Sequence, residues 1–139
     1  MKILLLILLP VFAFSQKNDK YIYVCQFISG SADGLNQAVV DHYLWGNRPF
    51  WNIKTSWKNK YRDWDNGDKR AAFPLSKSVL VGFTDGNHLT RLIDRSFSLG
   101  SLAFALSEKT TWKQILKKVL ISAAINRAGF YLSYEILFK

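Results

Sequence analysis

Asp85 and His88 are the pair in this chain best placed for chemistry. Three positions apart on a helix, their side chains reach one spot. A carboxylate there can orient the imidazole for acid–base work, or both can ligate a metal. The same spacing suits a plainer arrangement: a helix cap at Asp85 and a histidine on the polar face. His42, beside Asp41, is the only other histidine. If the helices carrying them pack together, His42, His88 and Asp85 approximate a two-histidine, one-carboxylate site. We take Asp85 and His88 as the catalytic candidates, and expect no metal and no cofactor. If the pair works, another helix should bring it a polar group such as His42, Asn126 or Arg127.

Other motifs give less. Residues 63–68 resemble a calcium loop, but the register fails: Gly67 is fifth where a ligand belongs, and Pro74 stands twelfth where the pattern needs Glu. A solvated turn fits better. Ser29-Gly30-Ser31 is a cap or turn and lacks the strand–turn–helix context of a serine nucleophile. No phosphate-cradling glycine loop is present. No motif names a reaction.

The elements that must position these residues read as mainly α. The chain has 139 residues, one domain's worth, with 49% hydrophobic and 21% charged residues, which excludes disorder and a coiled coil. Residues 29–44 read as a helix on which Gly30, Gly34, Ala38 and His42 recur every four positions. Such a small-residue face admits another backbone, so self-association through Gly30, Gly34 and Ala38 is expected. Residues 21–28 stay open between strand and helix. Residues 45–75 form a long irregular segment with four Trp. Between Gly46 and Leu75 seven Lys or Arg face three Asp. Loops this long in compact proteins are usually functional. Trp51, Trp57, Lys58, Lys60 and Tyr61 are its candidate binding residues, with His42 and Arg127 from the helices.

Residues 76–107 read as one helix or two, with Asp85-Gly86 as a break or cap and a strand over 78–83 as the rival. Residues 112–138 are the clearest helix. Its stretch 119–138 has 20 residues, about 30 Å at 1.5 Å per residue, enough to span a bilayer. Lys113, Lys117 and Lys118 would then sit at the interface, and residues 76–106 would supply a second crossing or an interfacial helix. Arg127 near the middle makes the span costly unless it snorkels or pairs.

The amino end addresses the compartment. Met1-Lys2 precedes an apolar run over 3–14, and Ala13 and Ser15 are small residues at −3 and −1 before Gln16. This is the pattern of a secretory signal peptide over 1–15, leaving 16–139 as a single helical domain. An uncleaved anchor is the alternative. The lone Cys25 excludes a disulfide framework and fits a buried, reduced thiol, with an intermolecular link as the alternative. The formal charge is +9. Export and dispersed cations argue against nucleic acid and favour membrane lipid as partner.

With those residues in view, the chain resembles an uncharacterised family of short exported or membrane-associated proteins of Gram-negative bacteria. The resemblance rests on Ser29-Gly30 with Asp33-Gly34, Trp51-Asn52, the run Ser56-Trp57-Lys58-Asn59-Lys60-Tyr61, and Thr84-Asp85-Gly86-Asn87-His88-Leu89. It extends to Gly129-Phe130 and Phe138-Lys139. Where relatives carry Pro after the Trp-Asn pair, Ile53 stands here. The family carries no assigned activity, so the resemblance implies an envelope location and lends weight to Asp85 and His88, without a role for them.

Three functional readings follow. The first is a small helical envelope protein, in or on the inner membrane, with no catalysis. The second is a membrane-associated, metal-dependent hydrolase using Asp85 and His88. The third is a soluble periplasmic binding module.

Overall fold

The computed structural model describes residues 18–42, 45, 48–107 and 109–137. The expected signal peptide lies outside them. Three long helices dominate: α1 over Asp19–Asp41, α2 over Gly86–Leu106 and α3 over Trp112–Tyr131. A π-helical turn, Leu132–Leu137, continues α3. Between α1 and α2 the segment is built from short 3-10 turns and one hairpin, with β1 over Tyr61–Asp63 antiparallel to β2 over Asp68–Ala71.

α1 is the central element. Both other helices pack on it and scarcely touch each other. Its side-chain bonds set the directions. Gln26 reaches Ser101, Ser29 reaches Asp94, and Asn36 accepts from Thr90, so α2 runs antiparallel to α1. Lys118 pairs with Asp19, Asn126 bonds to Gln26, and Tyr134 donates to Asp41, so α3 runs parallel to it. The amino ends of α1 and α3 therefore share one end of the bundle with the carboxyl end of α2. Asp85 and His88 lie at the opposite end.

The helical reading of 29–44 extends backwards: α1 begins at Asp19 and includes the stretch 21–28. Tertiary burial overrides the strand propensity of that stretch, because Ile22 and Tyr23 enter the apolar cluster with Ile125. Cys25 on this helix is a free, half-buried thiol. Two glycines inside α1 cost about 1 kcal/mol each relative to Ala. The close approach of α3 requires them: a Cβ at Gly30 would collide with the Asn126 backbone, and one at Gly34 with the Phe130 backbone. Gly129 reciprocates, lying against the Phe27 carbonyl. The backbone approach that the small-residue spacing allows is thus made within the chain, with Ala38 fully buried.

The bilayer span expected over 119–138 is corrected: among the described residues no helix is long and apolar enough to cross a membrane. One face of α3 is polar and turned to α1, where Asn126 bonds to Gln26 and Ser29. Lys118, expected at the interface, is buried against Asp19 instead. Residues 76–106 do not cross either. The stretch 76–85 forms turns with a short 3-10 helix at Val81–Phe83, neither helix nor strand, and α2 starts at Gly86. The calcium-like run 63–68 is the hairpin turn. Gly67 takes φ 80°, and Asp63 accepts from the Asn66 backbone and side chain.

Replacing Gly30 with Leu should force α3 away from α1 and cost about 1–3 kcal/mol or more, the scale of overpacking. Gly67→Ala, in open space but at positive φ, should cost only about 1 kcal/mol. Urea unfolding midpoints of the two variants test the difference.

Candidate active site

The Trp-rich segment folds back on the start of α2, and the contact is polar. Asp85 is extended at φ −165° and caps α2: its Oδ1 accepts the His88 backbone N–H at 2.9 Å. Its Oδ2 lies 2.8 Å from His88 Nδ1. Ser56 donates to Asp85 Oδ1 at 2.8 Å and also lies 3.2 Å from His88 Nδ1. Thr84 and Asn59 donate to Oδ2 at 3.1 and 3.4 Å, and the Asn87 amide reaches Ser56 at 3.3 Å. The Asp85 carboxylate is 1% exposed.

A buried carboxylate is penalised for its charge, which would raise its pKa. Here the donors win. Burial is the largest single influence, yet the His88 backbone N–H, the His88 ring and the Ser56 hydroxyl together hold the carboxyl below the usual carboxylate value. The positive end of the α2 dipole acts in the same direction.

The carboxylate fixes the tautomer of His88. Asp85 accepts, so Nδ1 of the neutral ring carries the proton and Nε2 keeps its lone pair. The His88 side chain is 25% exposed. An imidazole oriented by a carboxylate, with its second nitrogen free of partners among the described residues, can accept or donate a proton. Ser56 is no nucleophile: it is 3% exposed and its hydroxyl faces Asp85 and Nδ1, not Nε2. One buried atom of the cluster, Asn87 Oδ1, has no hydrogen-bond partner among the described residues.

The groups that meet the pair come from the Trp-rich segment, not from a helix. His42 sits at the end of α1, exposed, with its ring 5.1 Å from that of Tyr134. Asn126 faces α1, and Arg127 lies over the Phe130 ring at 5.0 Å. The two histidines are therefore not brought into one site. Among the described residues no three His, Cys, Asp or Glu side chains gather closely enough for a metal ion.

The candidate binding residues divide by face. Trp51 packs its ring against Gly86, at the foot of the site. Trp57 is exposed and meets Trp64 edge-on. Lys58 pairs with Asp65. Lys60 and Lys77 lie over Tyr61, which tilts against Trp64. Lys58, Asn59, Tyr61, Arg62, Trp64 and Thr84 line an open cleft of 460 Å³. Asn59 and Thr84 thus link that cleft to Asp85. Ser56 and Asn59 are the functional candidates that motif reading passed over. Their signal is spacing: three residues apart in a 3-10 turn, they share a face, as Asp85 and His88 do.

No protein-family model, curated protein or solved structure matches the chain. The function is therefore argued from the geometry.

Asp85→Ala removes a helix cap and orphans Ser56 and the His88 ring, an expected loss of about 2–4 kcal/mol. Asp85→Asn keeps a capping oxygen and loses the charge. The carboxyl has a lower pKa folded than the ordinary 3.8. Its stabilisation is therefore complete above that ordinary value and disappears as pH falls through the lower folded one. Wild type should lose stability along that acid limb and Asp85→Asn should lose less; urea unfolding between pH 2 and 7 compares them.

Proposed function

We propose that this is a small helical protein of the bacterial cell envelope that docks on an anionic membrane surface and has no reaction of its own. The carrying observation is the apolar end of the bundle opposite Asp85. There Leu106 is 77% exposed, Trp112 69%, Leu116 51% and Leu120 63%. Trp112, Leu116 and Leu120 follow at four-residue intervals and make one stripe along α3. Lys113 and Lys117 edge that stripe, one position on from Trp112 and Leu116. Apolar side chains bordered by lysines, with a Trp among them, are the chemistry of a helix lying in the headgroup region of a bilayer. A patch of this kind on a monomer marks an interaction surface.

Electrostatics and the amino end agree. The chain's +9 balance favours an anionic surface. The signal-like run over 3–14 directs the chain to the envelope, and the resemblance drawn from Trp51-Asn52, Ser56–Tyr61 and Thr84–Leu89 points to the same compartment. The docking is peripheral, since no described helix spans a bilayer. At the far end, the Trp-rich segment and the Asp85–His88 cluster would face away from the lipid.

One observation favours the second reading, an acid–base site: the Asp85–His88 contact leaves Nε2 without a partner among the described residues, at a partly open position. Wild type and His88→Ala, each incubated with a simple aryl ester, separate the two readings. Equal rates remove the catalytic one.

The membrane reading is tested by sedimenting the purified protein with phosphatidylglycerol or phosphatidylcholine vesicles. Wild type should pellet with the anionic vesicles, and less so at high salt. The double substitution Leu116→Glu, Leu120→Glu should weaken binding roughly tenfold or more, since 1.4 kcal/mol already gives tenfold. Wild type left in the supernatant, or pelleting no better than the double variant, overturns it.

A further inference from the structure

The hairpin of the Trp-rich segment gathers cations. Lys60 and Lys77 both lie over the Tyr61 ring, 5.3 and 5.4 Å from its centre. Lys69 lies 4.7 Å over the Trp64 ring, and the centres of the two rings are themselves 4.7 Å apart. The backbone anchors this arrangement. Buried Ser76 donates to the Lys60 carbonyl at 2.8 Å, and the Ala72 N–H donates to the same oxygen at 3.1 Å. Leu75, just before Ser76, holds a left-handed φ of 62°, an unfavourable value for a bulky side chain. The chain thereby doubles back, and the Lys77 ammonium donates to the Lys69 carbonyl at 3.3 Å.

Like charges gathered on two touching rings repel one another. The ring faces offset part of that repulsion. Acids do not, because the aspartates of the hairpin are engaged elsewhere. Asp65 pairs with Lys58, Asp68 pairs with Arg70, and Asp63 accepts from Asn66. Among the described residues no carboxylate lies within ion-pair distance of Lys60, Lys69 or Lys77. The three ammoniums are available to an anion from outside.

We propose that this face binds a phosphorylated sugar, with the phosphomonoester among the three ammoniums and the sugar ring against Trp57. Charge complementarity selects the anion. A phosphomonoester carries about −1.5 to −2 charge at pH 7, on three acceptor oxygens. Lysines serve phosphate as point charges, whereas a carboxylate is best matched by the planar fork of arginine. The cations are clustered, which suits one compact dianion. A nucleic-acid strand, with single charges at regular intervals, needs a basic groove along its length. Trp57 supplies the other half of the site. It is 47% exposed and meets Trp64 edge-on at 4.8 Å, so a sugar can lay a C–H face on it beside the phosphate. The site belongs to the segment held at Asp85 and shares no residue with the docking stripe of Leu116 and Leu120.

The experiment titrates glucose 6-phosphate into the purified protein, without vesicles, by isothermal calorimetry. Saturable binding is expected at pH 7.5, at least tenfold tighter than for glucose or glucuronate and at least threefold tighter than for inorganic phosphate. Affinity should fall between pH 7.5 and 5, because the phosphate group takes up its second proton at about pH 6. The combined substitution Lys60→Gln, Lys69→Gln, Lys77→Gln should weaken binding tenfold or more. Lys69→Gln alone, at an exposed position, should weaken it at least threefold and serves if the triple variant does not fold. Trp57→Ala should remove the preference over inorganic phosphate and leave phosphate binding in place. No saturable binding, glucuronate or inorganic phosphate bound as tightly as the sugar phosphate, an oligothymidylate bound more tightly, or a Lys69→Gln protein that binds like wild type overturns the site.

Discussion

The close passage of α1 past α3 governs the rest of the molecule. Three glycines, Gly30, Gly34 and Gly129, let the two backbones meet where any side chain would force them apart. At that separation short polar side chains suffice to join the helices, and Asn126 reaches both Gln26 and Ser29. The apolar cluster that accompanies them is small, with Ile22, Tyr23 and Ile125 at its centre. Register is thereby set by paired polar groups more than by bulk. A slip of one turn would leave the Asn126 amide without Gln26 and Ser29, and an unsatisfied group in a low-dielectric interior costs about 1–3 kcal/mol.

α1 engages α2 through the same kind of contact. Ser29 donates to Asp94 at 2.6 Å, and Thr90 donates to Asn36 at 3.1 Å. One helix holding two others through polar contacts leaves those two scarcely touching each other. The Trp-rich segment is attached separately, through the buried Asp85 carboxylate. That group gathers the cap of α2, the turn at Ser56 and the Asn59 amide on a single pair of oxygens. The stretch between α1 and α2 thus needs little apolar core of its own; among its described residues Ser56, Ser76, Gly82 and Asp85 are buried.

The helical architecture was legible because periodicity and small-residue spacing survive in any environment. The i, i+4 glycines announced a close helix contact, and Asp85-Gly86 announced a helix start. The start of α1 was hidden because Tyr21 to Ile28 carries strand-like side chains whose burial is decided by residues a hundred positions away. The bilayer span failed for a related reason. Hydrophobic length over 119–138 does not say that Asn126 and Gly129 are turned towards α1. At the site, Asp85 and His88 were legible from their spacing. Ser56 and Asn59 were not, since a residue in an irregular segment shows no periodicity, and the conspicuous Trp57 and Lys58 beside them point outwards.

The order of the partners along the chain has a kinetic consequence. Of the described helices α1 comes first, yet the groups that satisfy it come much later: Ser29 waits for Asp94, 65 residues on, and Gln26 waits for Asn126, 100 residues on. Contacts of such separation pay loop-closure entropy before they return any stabilisation, so folding cannot begin locally at the amino end. While the chain is being made, α1 has neither its apolar partner Ile125 nor its polar ones. These contacts of α1 can form only once the chain has been made as far as Asn126. Until then the glycine face of α1, Gly30 and Gly34, lacks the backbone of α3 that covers it.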